Sequence, residues 1–311
     1  MSTPIILDCD PGIDDALAIA FAAGSPAIEL AALTTVAGNV ELAKTTANAL
    51  AVAAFVGLGS VPVTPGSTTP LVRPALHAGH VHGESGLGGA VLPGPARVAE
   101  AGHAIDAIIA ATAAAPGEVT LVATGPLTNI GLALRREPRL ASWVRDFVIM
   151  GGSASRGNVT PAAEFNIWAD PEAAAIVFGA PWPNGVRMIG LDVTLQARAT
   201  GAIQDRMRTL GELGSRLLLP ALAQYRDSAD GAGEPPVHDV CAAVSIADPS
   251  VFDYTPALVQ VETHGTLTGG MTVTDFSASI SPNAQVATAI NADRFWGIVL
   301  DAYASVASRV G

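Results

Sequence analysis

Short apolar runs alternate with stretches of helical periodicity over the first two thirds of the chain. Residues 5–7, 28–35, 119–123, 147–150 and 186–190 read as buried strands, and 14–24, 41–57, 103–115, 125–136 and 171–178 as helices. Alternation of this kind predicts an α/β fold: a mostly parallel open sheet, Rossmann-like, with helices on both faces. A site in such a sheet lies at the carboxyl ends of its strands. The last third changes character. Residues 204–225 read as one or two helices, 227–237 as a loop rich in Gly, Pro and Asp, and 238–247 as a buried helix. Strands follow at 257–261, 271–274 and 285–290, with a closing helix at 293–310. Residues 66–94 are irregular, and a loop that long is usually functional or disordered. No linker or repeat divides the chain, so residues 1–311 are expected to form a single domain.

Charge and composition narrow the function. The 28 acidic residues outnumber the 16 basic ones, giving a net charge of −12. A nucleic-acid binder needs a basic stripe to displace counterions, and an anionic membrane surface attracts basic segments. Neither partner is expected. Half the residues are hydrophobic and 14% charged, against disorder. Mean hydropathy is +0.41, but much of it is alanine and no long apolar run is free of polar breaks. The start, MSTPIILDCD, has no basic region followed by a long apolar stretch, so a cytoplasmic protein is expected. Lys44 is the single lysine and follows no glycine-rich loop, which excludes a phosphate loop and disfavours Schiff-base chemistry.

The chemistry concentrates in Asp8-Cys9-Asp10-Pro11-Gly12-Ile13-Asp14-Asp15. Four carboxylates crowd the end of a strand and the start of a helix. Strand alternation puts Asp8 and Asp10 on one face and Cys9 on the other. Asp14 and Asp15 fall in the first helical turn, where the dipole favours negative charge. Crowded carboxylates repel unless neutralised, and a hard divalent cation with oxygen ligands is the natural counter-charge. The spacing is not that of an EF-hand. Other strand ends, at Thr124–Asn129, Gly151-Gly152 and Leu191-Asp192, would complete an oxygen-rich site suited to Ca²⁺ or Mg²⁺ and not to zinc.

The segment IILDCDPGIDDALAI at 5–19 resembles the N-terminal signature of the inosine–uridine-preferring nucleoside hydrolases. So do TTVAGN at 34–39, HVHGESGLG at 80–88, ATGPLTNI at 123–130, VIMGG at 148–152, PAAEFNIWADPEAA at 161–174, GLDVT at 190–194 and VHD at 237–239. Eight segments in the family's order cover nearly the whole chain. The resemblance implies Ca²⁺-dependent hydrolysis of ribonucleosides to ribose and free base, in nucleoside salvage, by a homodimer or homotetramer. It implies that Asp10, Asp15, Asp239 and the Thr124 carbonyl hold calcium, and that Asp10 is also the general base for a calcium-bound water. Asp14, Asn39, Glu164 and Asn166 match ribose contacts, Asn158 a contact near the 5′-hydroxyl, and Met150 a residue lining the sugar site. His82 and His238 fall near the base. Two features depart from the family: Val240 stands where proline is common, and the 227–237 loop has no aromatic residue, although Tyr225 stands just before it.

The residues suit that reaction. A glycosidase needs an activated water, tolerance of an oxocarbenium-like sugar and help for the leaving group. Asp10 beside the cation supplies the first, the acidic pocket the second and His238, with an ordinary pKa of about 6.5, the third. Extended backbone through Ala-Glu-Phe-Asn would put Glu164 and Asn166 on one face; the plainer reading is a capped turn before a helix. His77, His80 and His82 suggest zinc only weakly, lacking a fourth ligand. Cys9 and Cys241 read as structural. Asp8-x-Asp10 hints at an aspartyl-phosphate phosphatase, but Gly12 replaces the Thr or Val that class needs and no downstream lysine fits. A calcium-stabilised sugar-binding protein is the non-enzymatic alternative, and turnover separates it.

Overall fold

Strand β1 (Thr3–Cys9) sends Ile5, Leu7 and Cys9 into one apolar core and Ile6 into a second. That alternation is what a strand covered on both faces requires. The computed structural model describes residues 2–95, 97–226, 233–277 and 281–310. Eight further strands follow: β2 (Ile28–Thr35), β3 (Val63–Pro65), β4 (Thr120–Ala123), β5 (Phe147–Met150), β6 (Val186–Ile189), β7 (Phe252–Val261), β8 (Thr272–Asp275) and β9 (Ala284–Ile290). They form one sheet in the order β3-β2-β1-β4-β5-β6-β9-β7-β8. The first seven run parallel; β7 and β8 close the edge antiparallel.

Helices cover both faces, as the alternation predicts. The helices Ile13–Gly24, Asp239–Ala247 and Ala292–Val310 fill the first core, with Phe21, Val240, Phe295 and Tyr303 inside it. Helices Ala104–Ala114, Thr128–Arg136 and Pro171–Phe178 fill the second. Strand order reverses between β1 and β4, and loops from adjacent strands part there, opening a crevice at their carboxyl ends. Among the described residues no helix is long and apolar enough to cross a membrane.

Several boundaries differ from expectation. Strand β7 begins at Phe252, not 257, because its first half alternates with exposed and half-buried positions and carries Pro256. Strand β3 is only three residues long, below what periodicity can register. The 204–225 region is a helix Gly201–Arg208, a π-helical turn Leu213–Leu218 and a helix Leu219–Arg226. The expected loop at 227–237 lies partly outside the described residues. Of the rest, Pro236 bridges to Arg198, and the Val237 N–H donates to the Ala197 carbonyl at 3.0 Å. Residues 163–166 are not extended throughout: a short helix Phe165–Ala169 begins just after Glu164.

Candidate active site

Asp10 directly follows β1, and its surroundings are shaped by glycine. A Cβ on Gly125 would lie 2.7 Å from Asp10 Oδ1, and one on Gly38 would collide with Oδ2. These two close approaches let backbone wrap the carboxylate. The Asn39 N–H donates to Asp10 Oδ2 at 2.7 Å, and Asn39 Nδ2 donates to the Asp10 carbonyl at 3.1 Å. Oδ1 is buried and has no hydrogen-bond partner among the described residues.

Asp15 sits one turn into the following helix. Its Oδ2 accepts the Gly12 N–H at 3.0 Å, satisfying an orphan amide of the helix start, and its Oδ1 accepts the Thr124 hydroxyl at 2.8 Å. Thr124 therefore ties the end of β4 to that helix. Asp14, on the same turn, accepts the His238 backbone N–H at 3.0 Å across 224 residues of sequence. Asp239 follows at the first position of its helix. Asp8 takes a different path. Its Oδ1 accepts Thr34 Oγ1 at 2.6 Å and Asn129 Nδ2 at 2.8 Å behind the crevice, and it does not line the cavity.

Glu164 unites the two sequence readings of its segment. It caps the helix Phe165–Ala169, accepting from Asn166 N at 2.9 Å and Ile167 N at 3.3 Å. Its Oε2 also accepts Gly152 N at 2.8 Å. Asn166, in the first turn, donates Nδ2 to the Thr124 carbonyl at 2.8 Å and the Met150 carbonyl at 3.0 Å. Asn158 is exposed at the rim, its Oδ1 receiving the Phe165 N–H.

Both histidines are held from behind. The Ile13 N–H donates to His82 Nδ1 at 3.1 Å. An amide can only donate, so neutral His82 carries its hydrogen on Nε2. His238 Nδ1 lies 2.8 Å from Thr194 Oγ1. The Tyr225 ring stands edge-on to both, with centroids 6.2 Å from His82 and 6.0 Å from His238. These groups line a cavity of ≈ 610 Å³ that takes in Asp14, Asn39, His82, Thr124, Met150, Asn158, Glu164, Asn166, His238 and Asp239. Asp10 and Asp15 do not line it: they are fully buried, bonded to its lining residues Asn39 and Thr124. The other site residues expected from the sequence line one crevice.

Burial dominates the electrostatics. It pushes Asp10 and Asp239 well above the usual carboxylate range, with neighbouring Asp15 adding to the rise. It raises Asp15, against hydrogen bonds from Gly12 and Thr124. Asp14 is pushed up to about 7 by burial, against the His238 N–H, and Glu164 to about 7 against its capping amides. Among the described residues no ion pair joins a Lys or Arg to any of them to offset the repulsion. Burial lowers His82 to about 3, helped by His238, and His238 to about 4, helped by Arg198. The ordinary pKa assumed for His238 is thereby corrected: a desolvated imidazole is neutral at pH 7. His77 Nδ1 donates to the Gly38 carbonyl at 2.9 Å, and His80 is exposed. Among the described residues no three His, Cys, Asp or Glu side chains are grouped as a metal site would group them, neither the histidines nor Asp10, Asp15 and Asp239. Both cysteines are buried and donate to backbone carbonyls, Cys9 to Thr34 and Cys241 to Val237, as structural residues do.

Sequence reasoning left out Thr194, although it ends the quoted segment GLDVT; a hydroxyl behind an imidazole gives no periodic signal. Leu76, Phe165 and Trp168 also line the cavity.

The model of the inosine-uridine preferring nucleoside hydrolases matches residues 5–297. An inosine-uridine preferring nucleoside hydrolase of Leishmania major is 46% identical over 97% of this chain and 98% of its own. The pyrimidine-specific ribonucleoside hydrolase RihA of Photobacterium profundum is 43% identical over 88% and 89%. The solved structure of a purine-preferring ribonucleoside hydrolase from Gardnerella vaginalis superposes with a TM-score of 0.91 at 33% identity, covering 99% of this chain and all of that one. With a matching fold and these relatives, the chain belongs to the inosine-uridine preferring nucleoside hydrolase family of N-glycosidic hydrolases.

Proposed function

We propose that the chain hydrolyses ribonucleosides with one Ca²⁺ held by Asp10, Asp15, Asp239 and the Thr124 carbonyl, Asp10 serving as the base and His238 serving the leaving group. The observation that carries this reading is Asp10 Oδ1: a buried carboxylate oxygen without a partner, among carboxylates all pushed up by desolvation. Hard oxygen donors of high negative charge fit a hard divalent cation, whose charge would hold them ionised. When bound, that ion would polarise water and ribose hydroxyls.

The protein groups do the rest. Asp14, Asn39, Glu164 and Asn166 receive and orient ribose hydroxyls, with Asn158 near the 5′-hydroxyl and Met150 against the sugar. Asp10 accepts the proton of the attacking water. The carboxylates favour the positive charge that develops on ribose as the C1′–N bond breaks. Electrons of that bond pass to the base. His238 and His82, neutral, stabilise the charge there by hydrogen bonds from Nε2 and do not deliver a stored proton, much as a neutral imidazole serves as electrophile elsewhere. Relatives differ in base preference, pyrimidine-specific in one case and purine-preferring in another. Five polar side chains address ribose and few address the base, so we infer a ribonucleoside enzyme of broad base range. We place it in cytoplasmic nucleoside salvage, as a homodimer or homotetramer that light scattering would size.

The test is ribose release from inosine, uridine, cytidine, adenosine and guanosine, with and without a chelator. Release from several, abolished by chelator and restored by Ca²⁺, is the expected result. Release that ignores the chelator would overturn the metal assignment, and no release from any would overturn the activity.

A further inference from the structure

His238 is gripped at two points. Its backbone N–H is fixed to Asp14 Oδ1, and its ring is fixed at Nδ1 by Thr194 Oγ1 at 2.8 Å. Thr194 is fully buried and His238 nearly so. The residue behind the ring is itself anchored. Thr194 ends the short helix Leu191–Thr194, whose first amide donates to the Gly152 carbonyl at 3.0 Å. On that helix, Asp192 accepts Ser153 Oγ at 3.1 Å and the Ala154 N–H at 2.8 Å, and also Ser155 Oγ. The Thr194 N–H donates to the Gly190 carbonyl at 3.1 Å. The hydroxyl thus sits on a helix after β6 that is tied to the loop after β5, and is not a mobile surface group.

A neutral imidazole has two tautomers, and only one serves a departing base. With hydrogen on Nε2 the ring donates into the cavity; with hydrogen on Nδ1 it offers a lone pair and repels the developing negative charge. At His82 the choice is settled by the Ile13 amide. At His238 the hydroxyl of Thr194 occupies the equivalent place.

We propose that Thr194 is a positioning residue for the reaction: its hydroxyl donates to His238 Nδ1, holding the ring plane and keeping the hydrogen on Nε2, toward the leaving base. The proposal rests on the reading that His238 serves the leaving group. Valine has nearly the shape of threonine and lacks the hydroxyl; serine keeps it.

The experiment uses the full chain with Ca²⁺ and compares Thr194→Val, Thr194→Ser and His238→Ala. Each is assayed on uridine, whose base leaves poorly, and on p-nitrophenyl riboside, whose phenolate leaves readily. Thr194→Val should lower kcat on uridine by roughly 10–100-fold, the range known for removing a hydrogen-bond partner behind a metal-ligating imidazole. On p-nitrophenyl riboside the loss should be several-fold smaller, and Thr194→Ser should recover most of the uridine rate. Two-bond ¹H–¹⁵N correlations of the histidine rings should show His238 protonated at Nε2 in the parent and a shift toward Nδ1 in Thr194→Val. Equal losses on both substrates, no loss on uridine, or an unaltered tautomer would overturn the role of Thr194. His238→Ala separates this from the underlying reading. If that variant loses both substrates alike, the assignment of His238 falls and that of Thr194 with it; if it splits them while Thr194→Val does not, only Thr194 is wrong.

Discussion

Asp10 is held by what is missing around it. Gly125 and Gly38 let backbone approach the carboxylate closer than any side chain would allow. Gly125→Ala would bring a Cβ to 2.7 Å from Oδ1 and turn away the carboxylate proposed as the base. Its kcat should fall by roughly 10²–10⁴, the usual contribution of a positioned base, while the thermal transition stays close to the parent's. Steady-state kinetics and calorimetry together check this. The histidines give a second expectation at this scale. Burial takes His238 down to about 4 and His82 to about 3, so neither loses a proton between pH 6 and 8. With the cation holding Asp10 ionised, the rate on uridine at saturating Ca²⁺ should therefore stay level across that interval. A stored-proton acid of ordinary pKa would instead make it fall above about 6.5. The carboxylate motif and both histidines were legible in the sequence because they are dense, polar and placed at element ends. The state of His238 was not, since desolvation depends on what the fold stacks over the ring.

Elements position these residues through their ends. The helix Phe165–Ala169 is too short to show periodicity, and its first residues read equally well as alternating strand. Its cap decides. Glu164 accepts two amides of that helix and a third from Gly152, so one carboxylate both starts the helix and lines the cavity. Glu164→Ala should cost about 0.5–2 kcal/mol of stability through the lost cap and raise KM for uridine. Glu164→Gln keeps an acceptor for the amides, so it should retain most of the stability yet still bind ribose less well. Denaturant titration beside KM separates the two effects; if both variants lose stability equally, the cap is not carried by the oxygen. Strand ends at Asp10, Thr124 and Gly151 were foreseeable because strands buried on both faces are continuous apolar runs. Strand β7 was half hidden for the opposite reason: Asp253 and Pro256 interrupt the apolar pattern of a strand near the sheet's edge.

For the whole molecule, the acidic floor makes stability depend on pH and on the cation. Asp14 and Glu164 are raised to about 7, and Asp8 to about 7 by burial against bonds from Thr34 and Asn129. A raised carboxyl binds a proton more tightly folded than unfolded. The stability it contributes is present below the unfolded value near 4 and is lost as pH rises through about 7. The lowered histidines act oppositely: their contribution is present above about 6.5 and lost as pH falls toward 4. Above pH 6.5 only the carboxylates still titrate. In chelator, Tm should therefore decline from pH 6.5 to 8. With Ca²⁺ in excess, binding to the folded state should offset the decline and flatten it. A chelated protein whose Tm is level over that range would contradict the electrostatic picture of the floor.

The hydrogen bond from His238 to Asp14 spans 224 residues, and the Tyr303 hydroxyl reaches the Leu17 carbonyl across 286. During synthesis, then, the first helix emerges carrying its carboxylates long before Asp239 exists and longer still before the helix Ala292–Val310 can cover it. An apolar helix waiting on a ribosome for its last partner is exposed to aggregation, and distant contacts are slow to form. Chaperone demand should accordingly peak late in translation, and a chain stopped at residue 291 should capture a chaperone where the finished one releases it.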